Sequence, residues 1–322
     1  LCIRDCAWDA TPGAGAAGEP GALPVNPVAP ACSGVEESCW RALVLGTRDY
    51  VRKCGAARVL LGLSGGMDSA LVACVAAEAL GPENVTGVLM PSPHTSLASV
   101  EDAEALARNL GMETLTVPIA GLMAAFADAL GPGLERFPAW PGDVTEENLQ
   151  ARIRGTLVTS LANRARALVL NTGNKSEVAM GYCTLYGDAV GALAVIGDLT
   201  KTQVYALGRW LNAWKGRELI PEAIFVKAPS AELRPGQKDT DSLPPYEVLD
   251  PLLERLLAPG RSQGEAESGA GGEDAALAAD VRRRLFAAEF KRRQLPPALR
   301  VSGVPFGQDG WQAPTAGRYR MP

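Results

Sequence analysis

The apolar positions between residues 35 and 171 alternate between two periods. Helical spacing over about 35–53 predicts a helix, and a continuous aliphatic run at 57–63 predicts a strand. Helical spacing returns at 68–80, and "VTGVLM" (85–90) reads as a second strand. In "SVEDAEALARNLG" (99–111), Val100, Ala103, Leu106, Ala107 and Leu110 share one face. Ser99 with Asp102 three residues on suits the start of that helix, and Gly111 suits a left-handed stop. "ETLTVPI" (113–119) is a third strand, and a helix at about 145–164 leads into a fourth, "ALVLN" (167–171). Short apolar strands alternating with helices predict an α/β fold, a doubly wound parallel sheet with flanking helices. Such sheets bind ligands beyond the carboxyl ends of their strands.

Two tracts break this pattern. Residues 1–33 are rich in Ala, Gly and Pro and read as a linker or tail, leaving 34–322 as one domain. "PGRSQGEAESGAGGEDAA" (259–276) reads as a disordered insertion in that domain. Gly13, Gly15 and Gly18 match GxGxxG only formally, since no strand precedes them and no helix follows. The net charge of −5 disfavours general nucleic-acid binding, which needs clustered positive charge. The densest basic run, "RRRLFAAEFKRR" (282–293), carries apolar residues at helical spacing and reads as a solvated helix face. Seven scattered cysteines without CxxC pairs form neither a disulfide framework nor a zinc site. With no signal peptide and no apolar run of spanning length, the expected location is cytoplasmic, away from any membrane. His94 is the one histidine, so a His-rich metal site is excluded; it reads as a loop residue without catalytic duty.

The chemistry concentrates where the first strand ends, in "LLGLSGGMDSALV" (60–72). Gly65 and Gly66 let main-chain N–H groups approach a ligand closely. The next helix presents its N-terminus, with free donors and the positive end of its dipole. Together these suit a phosphate, and Ser64 and Ser69 add hydroxyls. An acid in a phosphate cradle would repel the ligand unless a cation lay between, so Asp68 points to Mg²⁺. A Walker A loop is excluded, because its lysine and spacing are missing.

Ser64-Gly65-Gly66-Met67-Asp68-Ser69 resembles the PP-loop of the ATP pyrophosphatases, which cleave ATP between the α- and β-phosphates and activate a substrate as its adenylate. "NLQARIRGTLVTSLAN" (148–163), "LVLNTGNKSEVAMGYCTLYGDAVGALAVIGDLTKTQVYALGRWL" (168–211), "PSAELRPGQKDTDSLPPYEVLD" (229–250) and "EFKRRQLPPALRVSGVPFG" (289–307) narrow the resemblance to the NAD synthetases, in particular the synthetase half of the glutamine-dependent form. The resemblance implies an adenine nucleotide alpha hydrolase-like fold and a carbon–nitrogen ligase of NAD biosynthesis. ATP as co-substrate would activate deamido-NAD, and ammonia would displace AMP to give NAD.

The same resemblance assigns the residues. Ser64, Gly65, Gly66, Asp68 and Ser69 would hold the departing pyrophosphate, with Asp68 and Glu177 on Mg²⁺. Thr172, Lys201 and Ser230 would contact the ATP, and Asp68 and Lys201 would be the catalytic pair. Arg152, Tyr182, Tyr186, Asp188 and Lys291 would bind deamido-NAD. As bare sequence features, Glu177 is a helix-surface acid, Thr172 a helix cap, Ser230 and Asp188 turn residues, and the tyrosines core residues. Arg152 and Arg154 lie about 200° apart around a helix, so at most one reaches the active centre. Cys183 reads as a packed thiol: Leu185 breaks the GxCxG pattern of a glutaminase elbow. The resemblance also implies a homodimer or higher oligomer and a glutaminase domain or subunit, which no stretch here supplies. Another PP-loop ligase, such as a GMP synthetase, and a non-catalytic nucleotide-binding module are the alternatives.

Overall fold

Both faces of the central strands are apolar, and that decides the architecture. In β1 (Val59–Gly62), Val59 and Leu61 point to one side and Leu60 to the other, and all three are buried. A strand buried on both faces needs cover above and below, the arrangement of parallel sheets. The computed structural model describes residues 34–258, 272–308 and 310–315. The linker expected at 1–33 and most of the insertion expected at 259–276 lie outside the described residues.

Around β1 stand β2 (Val85–Leu89), β3 (Glu113–Thr116), β4 (Leu168–Asn171) and β5 (Leu193–Ala194), all parallel, in the order β3-β2-β1-β4-β5. Val59 pairs with Val85 on one side and Leu168 on the other. The chain builds outward from β1 through β2 to β3, then returns to place β4 on the opposite flank. Such a reversal opens a crevice at the carboxyl ends of the two strands that part there, β1 and β4.

One face of the sheet packs on α1 (Val35–Lys53), α2 (Met67–Leu80), α3 (Leu97–Leu110) and α7 (Lys201–Lys215), with Leu61 and Leu63 in that core. The other face packs on α5 (Thr145–Ala165), where Leu60, Val88 and Val169 meet Val158 and Ala162. Helix α2 is buried nearly all round, as its run of Ala, Val and Cys without a polar stripe requires. Helix α3 starts two residues earlier than expected. Its cap is Ser96, whose Oγ accepts the Ser99 N–H at 3.1 Å, because the exposed Leu97 hid the first turn from the apolar pattern. Gly111 closes it in the left-handed region, as expected.

The apolar pattern missed α4 (Ala120–Leu134). Asp128 is its one charged residue and Gly131, Pro132 and Gly133 interrupt its end, so no polar stripe marks an outer face, and none of its residues is buried. Past β4, α6 (Lys175–Met180), α8 (Glu222–Val226), α9 (Tyr246–Leu257), α10 (Gly272–Ala287) and α11 (Glu289–Arg292) complete the chain. A second core joins Met180, Leu249, Leu253, Val281 and Leu285. Helix α10 begins inside the tract 259–276, so the end of that tract is helical.

A buried ion pair ties the C-terminal segment down. Asp198 accepts the Lys175 ammonium at 2.9 Å, the Val301 and Ser302 N–H groups at 2.8 and 2.7 Å, and the Ser302 hydroxyl at 2.7 Å. Lys175 also donates to the Val304 carbonyl at 2.7 Å. A buried charge is tolerable when paired and fully hydrogen-bonded in this way. No helix among the described residues is long and apolar enough to cross a membrane.

Candidate active site

The crevice at the switch point is a cavity of about 630 Å³. One wall is the turn between β1 and α2. Gly65 adopts φ +74°, and a Cβ there would lie 2.1 Å from the Ser99 carbonyl oxygen, so only glycine fits against α3. Gly66 leads into α2 with no side chain capping it. The hydroxyls close the turn on itself: Ser69 Oγ donates to the Gly66 carbonyl at 3.0 Å and accepts the Ser64 N–H at 3.2 Å. The Gly66 N–H donates to Ser64 Oγ at 3.2 Å. The helix end, rather than a side chain, thus offers its donors to the cavity.

Opposite stands the segment after β4. Asn171 folds it by donating to the Asp188 and Val190 carbonyls at 2.7 and 3.0 Å, and Thr172 lines the cavity just beyond. Asn174 caps α6 in a capping box: its side chain accepts the Glu177 N–H at 3.0 Å while Glu177 reaches back to its N–H at 3.4 Å. The Asn174 amide also donates to Asp68 Oδ1 at 3.0 Å, joining this wall to the start of α2.

Lys201, first residue of α7, completes the group. Its Nζ donates to Asp68 Oδ2 at 2.5 Å and to Glu177 Oε1 at 3.2 Å, and its side chain is 5 % exposed. Burial works against the ammonium, but Asp68 and Glu177 outweigh it and hold Lys201 protonated well above the ordinary lysine range. Burial also pushes the Glu177 carboxyl up, with Asp68 and Asp239 adding to the shift and Lys201 opposing it. The Tyr246 ring lies 5.3 Å from Nζ. The Tyr246 hydroxyl donates to Asp239 Oδ2 at 2.8 Å.

Residues 227–239 form the third wall. Ser230 donates to the Gln237 carbonyl at 2.6 Å. Glu232, at φ +49°, accepts from the Ser99 and Ser96 hydroxyls at 2.7 and 3.0 Å, and Lys227 pairs with Asp102. This wall is therefore strapped to the start of α3.

Of the residues assigned from sequence, Ser64, Gly65, Gly66, Asp68, Ser69, Thr172, Glu177, Tyr182, Asp188, Lys201 and Ser230 line this one cavity. Asp188 lines it and is exposed to solvent there, though the surrounding walls crowd its carboxyl. Burial raises its carboxyl to about 6, while the Thr184 N–H, donated at 2.6 Å, and Lys291 pull the other way. Arg152, Tyr186 and Lys291 do not line the cavity. Arg154 lines the cavity and donates to the Met90 carbonyl at 3.0 Å. Arg152 is exposed on the other side of α5 and donates to the Leu185 carbonyl at 3.3 Å. Lys291 spends its ammonium on the Gly181 and Cys183 carbonyls, both at 2.7 Å. Tyr186 borders a shallow recess that shares Ala189, Val190 and Leu295 with the cavity. Cys183 is a packed thiol, pushed up to about 12 by burial.

Sequence reasoning missed Asn174, Asp239 and Tyr246. The Asn-x-x-Glu spacing of a capping box could have exposed Asn174. Asp239 lies in a polar loop and carries no local signal.

Asp68 and Glu177 fit a hard divalent cation. Among the described residues no third acid, histidine or cysteine joins them in a metal-binding group. Two carboxylates leave the rest of an octahedral shell to water and phosphate oxygens, the pattern that Mg²⁺ prefers.

Comparison with known proteins adds the family. The NAD synthase family model matches residues 39–296. The chain is 52 % identical over 288 residues to the glutamine-dependent NAD(+) synthetase of Thermotoga maritima, covering 89 % of this chain and 49 % of that one. It therefore spans about half the length of the curated relatives it matches. Among solved structures, the glutamine-dependent NAD+ synthetase of Acinetobacter baumannii, in complex with ADP, matches with a TM-score of 0.59 at 38 % identity. That match covers 92 % of this chain and 50 % of the other. The NH3-dependent NAD synthetase of Campylobacter jejuni matches with a TM-score of 0.59 at 28 % identity, covering 78 % of this chain and 93 % of that one.

Proposed function

Since the chain belongs to the NAD synthase family, we propose that its cavity performs the ATP-dependent amidation of deamido-NAD to NAD through an adenylate. The observation that carries this reading is the meeting of Asp68, Glu177 and Lys201 beside a glycine turn that opens a helix. The nicotinate carboxylate attacks the α-phosphorus of ATP, and the bond to the bridging oxygen of the β-phosphate breaks. Two anions must approach, so the site has to offset charge and hold the groups in line. The N-terminus of α2 holds the pyrophosphate as it departs, in a turn that the Ser64 and Ser69 hydroxyls brace. Lys201 supplies a permanent positive charge at the same place. Asp68 and Glu177 would hold Mg²⁺, which when bound offsets phosphate charge. Ammonia then attacks the activated carbonyl, loses a proton, and AMP leaves. Asp188, Tyr182 and Arg154 face the cavity for deamido-NAD; Arg152, Tyr186 and Lys291 are assigned to the part of that substrate outside it.

Ammonia is the immediate nitrogen donor at this site, and a glutaminase domain or subunit supplies it when glutamine is the source. Purified chain with ATP, Mg²⁺ and deamido-NAD should form NAD, AMP and pyrophosphate with ammonium and not with glutamine alone. NAD from glutamine alone would overturn the donor assignment. Folded protein that releases pyrophosphate only with xanthylate would hand the site to a GMP synthetase.

A homodimer belongs to the same reading. Leu122, Phe126, Leu130 and Leu134 form a stripe along α4, each at least 38 % exposed, and Leu115 of β3, Phe137 and Trp140 are exposed beside them in the chain. An apolar face of this extent marks an interaction surface. Sedimentation should give a dimer for the parent and a monomer for Phe126→Asp/Leu130→Asp. Equal masses for the two would remove α4 from the interface.

A further inference from the structure

Glu177 and Lys201 sit on different helices, and their charged ends meet at 3.2 Å. What sets that spacing is a buried acid outside the cavity. Asp250, on α9, is 2 % exposed and does not line the cavity. Its Oδ2 accepts the Thr202 N–H at 2.8 Å. Its Oδ1 accepts the Ser176 hydroxyl at 2.5 Å, and that same Oγ accepts the Lys201 N–H at 2.9 Å. Ser176 immediately precedes Glu177 on α6, and Lys201 opens α7. The first two N–H groups of α7 therefore both end on this relay.

Those N–H groups have no partner within their own helix and would be costly to bury unpaired. A carboxylate suits them, since it also faces the positive end of the dipole. Among the described residues no other side chain accepts these two N–H groups; Gln203 Oε1 accepts the Thr200 N–H at 3.0 Å.

We propose that Asp250 is a positioning residue for this site. Through Ser176 and Thr202 it holds α6 against α7, and so sets the distance between the Glu177 carboxylate and the Lys201 ammonium. The proposal rests on the assignment of Asp68, Glu177 and Lys201 to ATP and its metal. Because Asp250 acts on that side only, its loss should weaken metal binding and turnover while leaving deamido-NAD recognition alone.

Asp250→Asn tests this. It keeps the shape but removes the charge and, with its oxygen on the Thr202 N–H, turns an NH₂ to Ser176 Oγ, which already accepts the Lys201 N–H, so the acceptor for the Ser176 hydroxyl is lost. Mn²⁺ binding is read by electron paramagnetic resonance in the presence of α,β-methylene ATP, beside kcat and KM with ammonium as donor. The expected result is a Kd for Mn²⁺ raised about 10-fold and kcat lowered by a similar factor. KM for deamido-NAD should stay within about twofold of the parent, as expected of a group that does not touch that substrate. Ser176→Ala should act in the same direction, and the double variant should lose little more than either single one. Folded Asp250→Asn with parental Mn²⁺ affinity and kcat, even with a lowered Tm, would overturn the proposal. Should that variant fail to fold, parental values in Ser176→Ala would do the same. The Mn²⁺ measurement needs no acceptor. A parent protein that binds the metal–analogue pair but makes no NAD would count against the proposed reaction alone.

Discussion

Lys201→Met should lower NAD formation by about 10³-fold, the loss typical of removing one preorganised charge partner of a transition state. The ammonium touches both carboxylates of the site and is held charged by them, so no change of pH within the working range substitutes for it. Methionine fills the same volume without the charge. It also leaves Asp68 and Glu177 facing each other without their counter-ion. Breaking a pair this well buried costs about 3–5 kcal/mol by precedent, so the variant should melt earlier and gain more from added Mg²⁺ than the parent. Steady-state kinetics and thermal scans with and without metal check both halves. Turnover within tenfold of the parent would remove Lys201 from the chemistry.

Asp68→Asn should be nearly as damaging, through the other half of the pair. Asp68 stands between two donors, the Asn174 amide and the Lys201 ammonium. The asparagine oxygen satisfies one of them, and its NH₂ then opposes the other. One of the two carboxylates available to a metal is lost as well. Pyrophosphate release should fall by about 10³-fold and should no longer saturate at ordinary Mg²⁺ concentrations. A variant that keeps both the rate and the metal dependence of the parent would refute the placement of Mg²⁺ on Asp68.

How much of this was legible in the chain follows from how local each signal is. Ser64 to Ser69 are six consecutive residues that span the turn after a buried strand and the first residues of a buried helix, so their sequence carries their geometry. Helix α3 announced itself through one apolar face opposite a polar one, and α4 could not, lacking a polar stripe and carrying Gly131, Pro132 and Gly133. The two arginines of α5 show the limit of periodicity: 200° of rotation separates Arg152 from Arg154, but which of them faces the cavity depends on how α5 lies against the sheet. Lys201 is 133 residues from Asp68, and only the family resemblance joined them. Asn174 and Asp250 are buried polar groups that also bond far along the chain, Asn174 to Asp68 and Asp250 to Ser176 and Thr202. No short window of sequence holds both ends of those bonds.

The knot at Asp198 bears on the order in which a newborn chain takes shape. Synthesis runs from the N-terminus, and Asp198 leaves the ribosome 104 residues ahead of Ser302. The five strands and the glycine turn are all made by residue 194. Lys175 and Asp198, by contrast, wait for Ser302 and Val304 before their buried charges are fully hydrogen-bonded. Lys175 opens the helix that carries Glu177, so this one knot couples the last segment made to the wall on which that carboxylate stands.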